Sequence, residues 1–559
     1  MSEEEPKARP SSLASNPFEN PIFRRYTRSQ LRPVSTSIWA VTVLVFVTFT
    51  FLAIYVGSRN LGQQDNVQAA RWAFRAILLI QGFLLMLLGT GATTLAYVRE
   101  ADEKMVEYQR LTPMSPMAKL LGYLFGPPIR AYLLFLITVP FAIFCIVVGK
   151  IPFIAVFEIY VTFFVSVILY HLTGLLAGTL LKRRLLAGVL SMGLVFGINF
   201  VLPGILARSG YTFFFYTTVW PVVILHGSGL ALENDQSPEL LARYENFQAV
   251  DFFQFEIPTF VFGLAVQGFL IFTFALILYR RWKGETLHLL SKNFTLIVFS
   301  GILVLFLGTS LPLMDSGQIF PSMNTQFGQR YMRPSGLQAT PSEALGITAA
   351  CGIITFIIAC ILIQIITPTR DGFLRGLRRA YKKGQRSPRF GADAQTGLWH
   401  TLWIGLLGGL AWYWFTHSLF QTDFFPDRSL PGYASLVMCS ICILAAICFG
   451  TTLQLFGKGV LWLAMLFAWI VPLLAAGILF LAEQPVGGIY LASLSAFGAF
   501  FNFPTTMLGG PDYANYSHVR NAFGIWICSH ALLAIFLLVL SHRRNLLLHE
   551  LVEKERTSR

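Results

Sequence analysis

Few residues in this sequence combine the types and spacing that chemistry requires. Cys439 and Cys442 stand at CxxC spacing, as a redox pair or half a metal site would. Both lie inside an apolar run, however, where a thiol packs as a small hydrophobe. The Gly-Lys-Gly at 457–459 follows Phe456 and lacks both the upstream glycine and the Ser/Thr after lysine that a phosphate-cradling loop needs. The nine histidines show no metal-ligand spacing, and no HExxH, GxSxG or kinase signature is present. No metal or cofactor is expected. Glu158, in FEIYVTFF, lies about two helical turns past Ile151. An acid inside a membrane span is a functional candidate by default, although a span this long also allows Glu158 to reach the interface. Arg130, near the start of another apolar run, is placed to extend toward lipid headgroups.

These residues must be positioned by membrane helices. The 559-residue chain is 55% hydrophobic and 13% charged, with mean hydropathy +0.61, whereas soluble domains are ~25% charged. A span takes about 20 apolar residues. Twelve candidates fit, at 38–57, 73–97, 125–149, 151–181, 185–206, 258–279, 294–314, 343–367, 399–419, 432–453, 459–481 and 521–541. The expected class is therefore an all-α polytopic membrane protein with both termini cytoplasmic. Two further segments, 211–230 and 487–507, carry Gly, Pro or many hydroxyls and are expected to be re-entrant or to lie on the outer face. Charge supports this: 31 Lys and Arg fall on the inner side and 10 on the outer, as the positive-inside rule requires. That rule and anionic lipid account for the net charge of +14 without invoking nucleic acid.

Spans one to six and seven to twelve share a plan, each half with a doubtful segment between its fifth and sixth spans. The expected organisation is a tail at 1–17, an interfacial helix at 18–36, a six-span domain at 37–285, a second six-span domain at 286–545 and a C-terminal tail at 546–559. The second domain is either a diverged repeat of the first or an unrelated extension.

Between two long apolar segments stands a short polar junction that mixes charge, two prolines and a glycine, EKMVEYQRLTPMSPMAKLLGYL, residues 103–124. Charges at helical spacing, Glu100 with Lys104 and Glu103 with Glu107 and Arg110, predict one or two helical turns. Leu111-Thr-Pro-Met-Ser-Pro breaks them. Ser115 and Pro116 then start a helix as cap and first residue. Gly122 and Gly126 allow close helix packing. Upstream, at roughly 100° per residue, Ile22, Phe23, Tyr26 and Gln30 share one face and Arg24, Arg25, Arg28 and Arg32 the opposite one. This is the pattern of an amphipathic helix lying at an interface.

Together these features resemble the permease subunits of bacterial type-2 ABC exporters. That family has an elbow helix before span one, a coupling helix between spans two and three, and re-entrant helices between spans five and six. Asp102 and Glu103 match its acidic pair. Leu111, Thr112, Pro113 and Ser115 match its Leu-Thr-Pro-Leu-Ser-like run, and Gly122 matches the following glycine. Glu107 lies inside the matched segment. Lys104 and Met105 depart from the family's Gly-Thr. The likeness covers residues 18–285 in plan and only the plan beyond.

The resemblance implies an inner-membrane permease without its own ATPase, coupled at residues 98–119 to a separate cytoplasmic ABC ATPase. A homodimer is implied if the second half is not a permease repeat. Two alternatives stay open. One is a polytopic enzyme acting on lipid-linked substrates through Asp235, Glu239, Asp315, Arg330, Arg333 and Glu343, among which no triad or acid pair is recognisable. The other is a secondary transporter or scaffold. The basic loop at 370–389 has three readings: a lipid-surface patch, a dock for an acidic partner, or a topology signal alone.

Overall fold

The computed structural model describes residues 19–60, 62–112, 114–181, 184–207, 209–227, 248–284, 287–315, 341–422, 430–508 and 516–557. The expected tail at 1–17, together with Pro113, Asp235, Glu239, Arg330 and Arg333, lies outside them. The described residues are helical almost throughout; β1 (Ala249–Phe252) and β2 (Phe255–Pro258) form one two-stranded sheet. Among the described residues, ten helices are long and apolar enough to cross a membrane. This is the make-up of a multi-pass membrane protein.

The chain divides into two units. The first comprises residues 1–204, 213–250 and 256–285. It opens with α1 (Pro21–Gln30) and α2 (Pro33–Asn60), followed by α3 (Asn66–Gly82), a π-helical turn at Phe83–Gly89 and α4 (Thr90–Asp102). Next come α5 (Met105–Leu111), α6 (Pro116–Phe125), α7 (Ile129–Val148) and α8 (Phe153–Leu180). The segment from α3 to α4 runs as one apolar helix of 37 residues, Asn66–Asp102, longer than the expected span at 73–97. The π-helical turn has an interior partner: His171 Nε2 donates to Leu85 O at 3.0 Å. Gly89 leaves room for that ring, since a Cβ there would lie 2.6 Å from His171 Nε2. After α9 (Arg184–Phe196) and α10 (Leu202–Ala207), the described part of the doubtful segment, 211–227, contains only a 3-10 turn (Thr212–Thr217) and α11 (Trp220–Leu225). Both are far too short to span a bilayer as a helix. α12 (Thr259–Lys283) closes the unit.

The second unit comprises residues 205–212, 251–255 and 286–559. Its helices are α13 (Lys292–Asp315), α14 (Pro341–Ile366), α15 (Arg370–Lys382), α16 (Leu398–Phe420) and α17 (Ala434–Met465). They are followed by α18 (Val471–Leu481), α19 (Pro485–Ser493), α20 (Gly498–Leu508) and α21 (Tyr516–Thr557). Two expected spans differ here. The segment at 399–419 forms α16, a helix of 23 residues that is not among those ten; four Trp, two His and a glycine pair dilute its apolar character. The segment at 459–481 is broken: Gly457 takes φ +76° within α17, and a π-helical turn at Leu466–Ile470 precedes α18. At 487–507 two short helices, α19 and α20, replace a continuous span.

Candidate functional site: a buried carboxylate at the α1–α4–α5–α6 junction

α1 forms because Asn20 caps it. Its Oδ1 accepts from Ile22 N at 3.0 Å and from Phe23 N at 3.5 Å, and Pro21 takes the first helical position. Ile22 and Tyr26 are buried, and Arg24, Arg25, Arg28 and Arg32 are exposed. The buried face is therefore the one the periodicity selects. The same Asn20 reaches across to α6, where its Nδ2 donates to Ala118 O at 2.5 Å. Ser115 caps α6, its hydroxyl accepting from Ala118 N at 3.1 Å. α1 lies directly over Gly122: a Cβ there would come 2.8 Å from Ile22 Cβ and 2.9 Å from Asn20 Oδ1. At the far end of α1, Arg130 Nε and Nη2 donate to Gln30 O at 3.0 and 2.6 Å. Arg130 thus binds the C-terminus of α1, where a cation is favoured by the helix dipole, instead of extending to headgroups as its position in the sequence suggested.

The centre of the junction is Glu100, on the last turn of α4 and only 4% exposed. Four groups from three other elements converge on it. Tyr26 and Arg25 from α1 meet Oε1, the first by its hydroxyl and the second as an ion pair. The Tyr123 hydroxyl from α6 meets Oε2, and Gln109 Nε2 from α5 donates to the same oxygen at 2.7 Å. Burial pushes the Tyr26 phenol up to about 12, against the lowering influence of Arg25 and Arg99. Burial, with Tyr26 as neighbour, also raises that of Tyr123. Both phenols stay protonated and serve as donors to the carboxylate. Beneath them Val106, Leu120, Tyr123, Leu124, Leu175, Leu278 and Trp282 belong to one apolar cluster. Trp282 stacks on Tyr123 with centroids 5.3 Å apart.

Glu100 was expected to pair with Lys104 one turn on. The helix ends before that turn is complete: Lys104 takes the left-handed conformation, φ +56°, which turns α5 away from α4. In the same stretch Glu103 Oε1 lies 3.1 Å from Arg99 Nε, one turn back on α4. Lys104 sits where the resembled family has glycine, the residue for which this conformation carries no steric penalty. Lys104→Gly is expected to stabilise the chain by roughly 0.5–1 kcal/mol, the left-handed penalty less the extra unfolded-state entropy of glycine. Chemical denaturation in detergent would measure it; a loss of stability would contradict the strained-turn account.

The remaining junction residues lie outward. Asp102, Glu103, Glu107, Leu111, Thr112 and Ser115 are exposed. Leu111 is 83% exposed and Tyr108 68%. α5 thus has an inner side, Val106 and Gln109, fixed to α1, α4 and α6, and an outer side that carries acidic and apolar groups together.

No family model, curated protein or solved structure matches the chain.

The junction is a corner in which one buried carboxylate joins α1 to a short helix between two apolar helices. The other intramembrane candidate, Glu158, is elsewhere in the unit. Its Oε2 lies 2.8 Å from His226 Nε2, and both side chains are about a fifth exposed. No group of three His, Cys, Asp or Glu able to hold a metal occurs among the described residues. Cys439 and Cys442 are buried and free.

The sequence pattern missed Glu100 as the hub, though a signal was present. Thr93, Tyr97 and Glu100 recur at helical spacing on one buried face of α4, so the apolar face of the span continues into the carboxylate.

Proposed function

We propose that the chain is the membrane permease part of an ABC-type exporter, working with a separate cytoplasmic ATPase that docks on the outer side of α5. The observation that supports this best is the fixing of α5 through Glu100 to α1, α4 and α6. α4 continues the 37-residue helix Asn66–Asp102, and α6 leads through a short turn into α7. A displacement of α5 is thereby passed to two membrane helices as a rigid-body movement. The likeness of 102–122 to a coupling segment, and of α1 to an elbow helix, supports the same reading. α1 and α5 then lie at the cytoplasmic face of the inner membrane, and the substrate passes among the apolar helices.

The outer side of α5 supplies the contact: Leu111 and Tyr108 as apolar anchors and Glu107 as a charge. Glu107→Lys and Leu111→Asp each change exposed groups and leave the Glu100 cluster intact. Each is expected to reduce recovery of the ATPase with the tagged chain at least ~10-fold, the loss typical of a central interface residue. Unchanged recovery and unchanged ATP-dependent transport in proteoliposomes would remove α5 from the mechanism.

A further inference from the structure

A second polar element, α15 in the second unit, carries a surface with a different chemistry. Thr369 caps it by accepting from Gly372 N at 3.2 Å. Its apolar face, Phe373 and Leu377, packs on Leu548 and Val552 of α21. Arg378 adds a two-pronged ion pair to Glu555, Nε–Oε2 at 3.0 Å and Nη2–Oε1 at 2.8 Å. With that face covered, the opposite one is left outward. It holds Arg375, Arg379 and Lys382 at helical spacing, continued by Lys383, Arg386 and Arg389. All six are exposed, and among the described residues none has a carboxylate within ion-pair distance. Asp371, one turn before Arg375, is the one acid on that side of the helix.

The chain after α15 folds back and keeps these cations together. Gly384 turns it at φ +71°, and Ala394 and Pro388 come against Gly376 of α15. Lys292, fully buried at the start of α13, holds the returning loop through the carbonyls of Ala392, at 2.9 Å, and Gln395.

Two placements indicate what this surface meets. α15 starts four residues after Ile366, the end of an apolar helix long enough to span. The loop then delivers exposed aromatics, Phe390 (65% exposed), Trp399 and Trp403, at the start of α16. Aromatic side chains of this kind mark the headgroup level of a bilayer. We infer that the basic face of α15 and its return loop bind anionic phospholipid headgroups. The binding is electrostatic rather than insertional, because the apolar face of the helix is already occupied by α21. Such a surface holds the C-terminal part of α21 at the membrane through α15.

The test is native mass spectrometry of the full purified chain loaded with phosphatidylglycerol or phosphatidylcholine. A cation at a membrane surface contributes about fivefold to anionic lipid affinity. The wild-type chain is expected to retain phosphatidylglycerol at least ~10-fold over phosphatidylcholine, and Arg375→Gln/Arg379→Gln/Lys382→Gln/Lys383→Gln to fall within ~2-fold. The charge-keeping Arg375→Lys/Arg379→Lys is expected to stay near wild type. An undiminished preference in the glutamine variant would overturn the inference. So would an acidic protein that co-purifies with the wild type and leaves with these four changes while lipid preference persists.

Discussion

Glu100→Ala is expected to destabilise the first unit by about 3 kcal/mol, at the lower end of the cost of breaking a buried ion pair. The lower end applies because Arg25, at 44% exposed, can return to water, whereas the Tyr26 and Tyr123 hydroxyls cannot without opening the cluster. Two buried donors then lose their acceptor. The effect has a location as well as a size. α1 loses its contact with α4, and trypsin is expected to cut at Arg24, Arg25 and Arg28 faster than in the wild type. Glu100→Gln keeps the shape and one acceptor and is expected to cost about half as much. Equal effects of Ala and Gln would place the contribution in the charge alone. No effect of either would contradict the hub.

The second large effect is expected at Gly122. Gly122→Val puts a branched side chain where even a Cβ lies 2.8 Å from Ile22 Cβ. That atom sits next to the backbone of α1 and cannot swing away, so the whole helix must move. The movement also breaks the 2.5 Å bond from Asn20 Nδ2 to Ala118 O and disturbs the cap of α1. Overpacking and cap loss together come to about 2–4 kcal/mol. Thermal unfolding in detergent reads the size, and proteolysis of α1 reads the place. Gly57→Ala is the matched control, since nothing lies within 4 Å of a Cβ there. It is expected to be neutral or slightly stabilising. If the two glycine substitutions behave alike, close approach of α1 to α6 is not what Gly122 provides.

Legibility in the sequence followed the range of the interactions. The faces of α1, the Ser115–Pro116 start of α6 and the value of a small residue at 122 are local, set within a few residues by capping and periodicity. All three could be read without coordinates. Glu100 could not be assigned a partner this way, because its partners lie at positions 25, 26, 109 and 123 and meet only when four elements pack. Its proximity to Lys104 suggested a surface pair, and the left-handed turn at Lys104 prevented one. Arg130 misled for the same reason: length and position pointed to headgroups, while the acceptor, Gln30 O, is 100 residues away in sequence. In the second half, hydropathy read α16 and the region around Gly457 as ordinary spans. Apolar run length registers neither the Trp and His that dilute α16 nor a left-handed glycine in the middle of a helix.

The most direct test of the permease account is a mild-detergent pull-down of the tagged full-length chain, with mass spectrometry of what accompanies it. The account predicts a stoichiometric P-loop ATPase that is lost when residues 103–116 are scrambled. Two ATPase copies per chain would make one chain a complete permease, and one copy would require a pair of chains. Absence of any ATPase, under conditions that keep other membrane complexes intact, would contradict the account and leave the α5 junction as a purely structural corner.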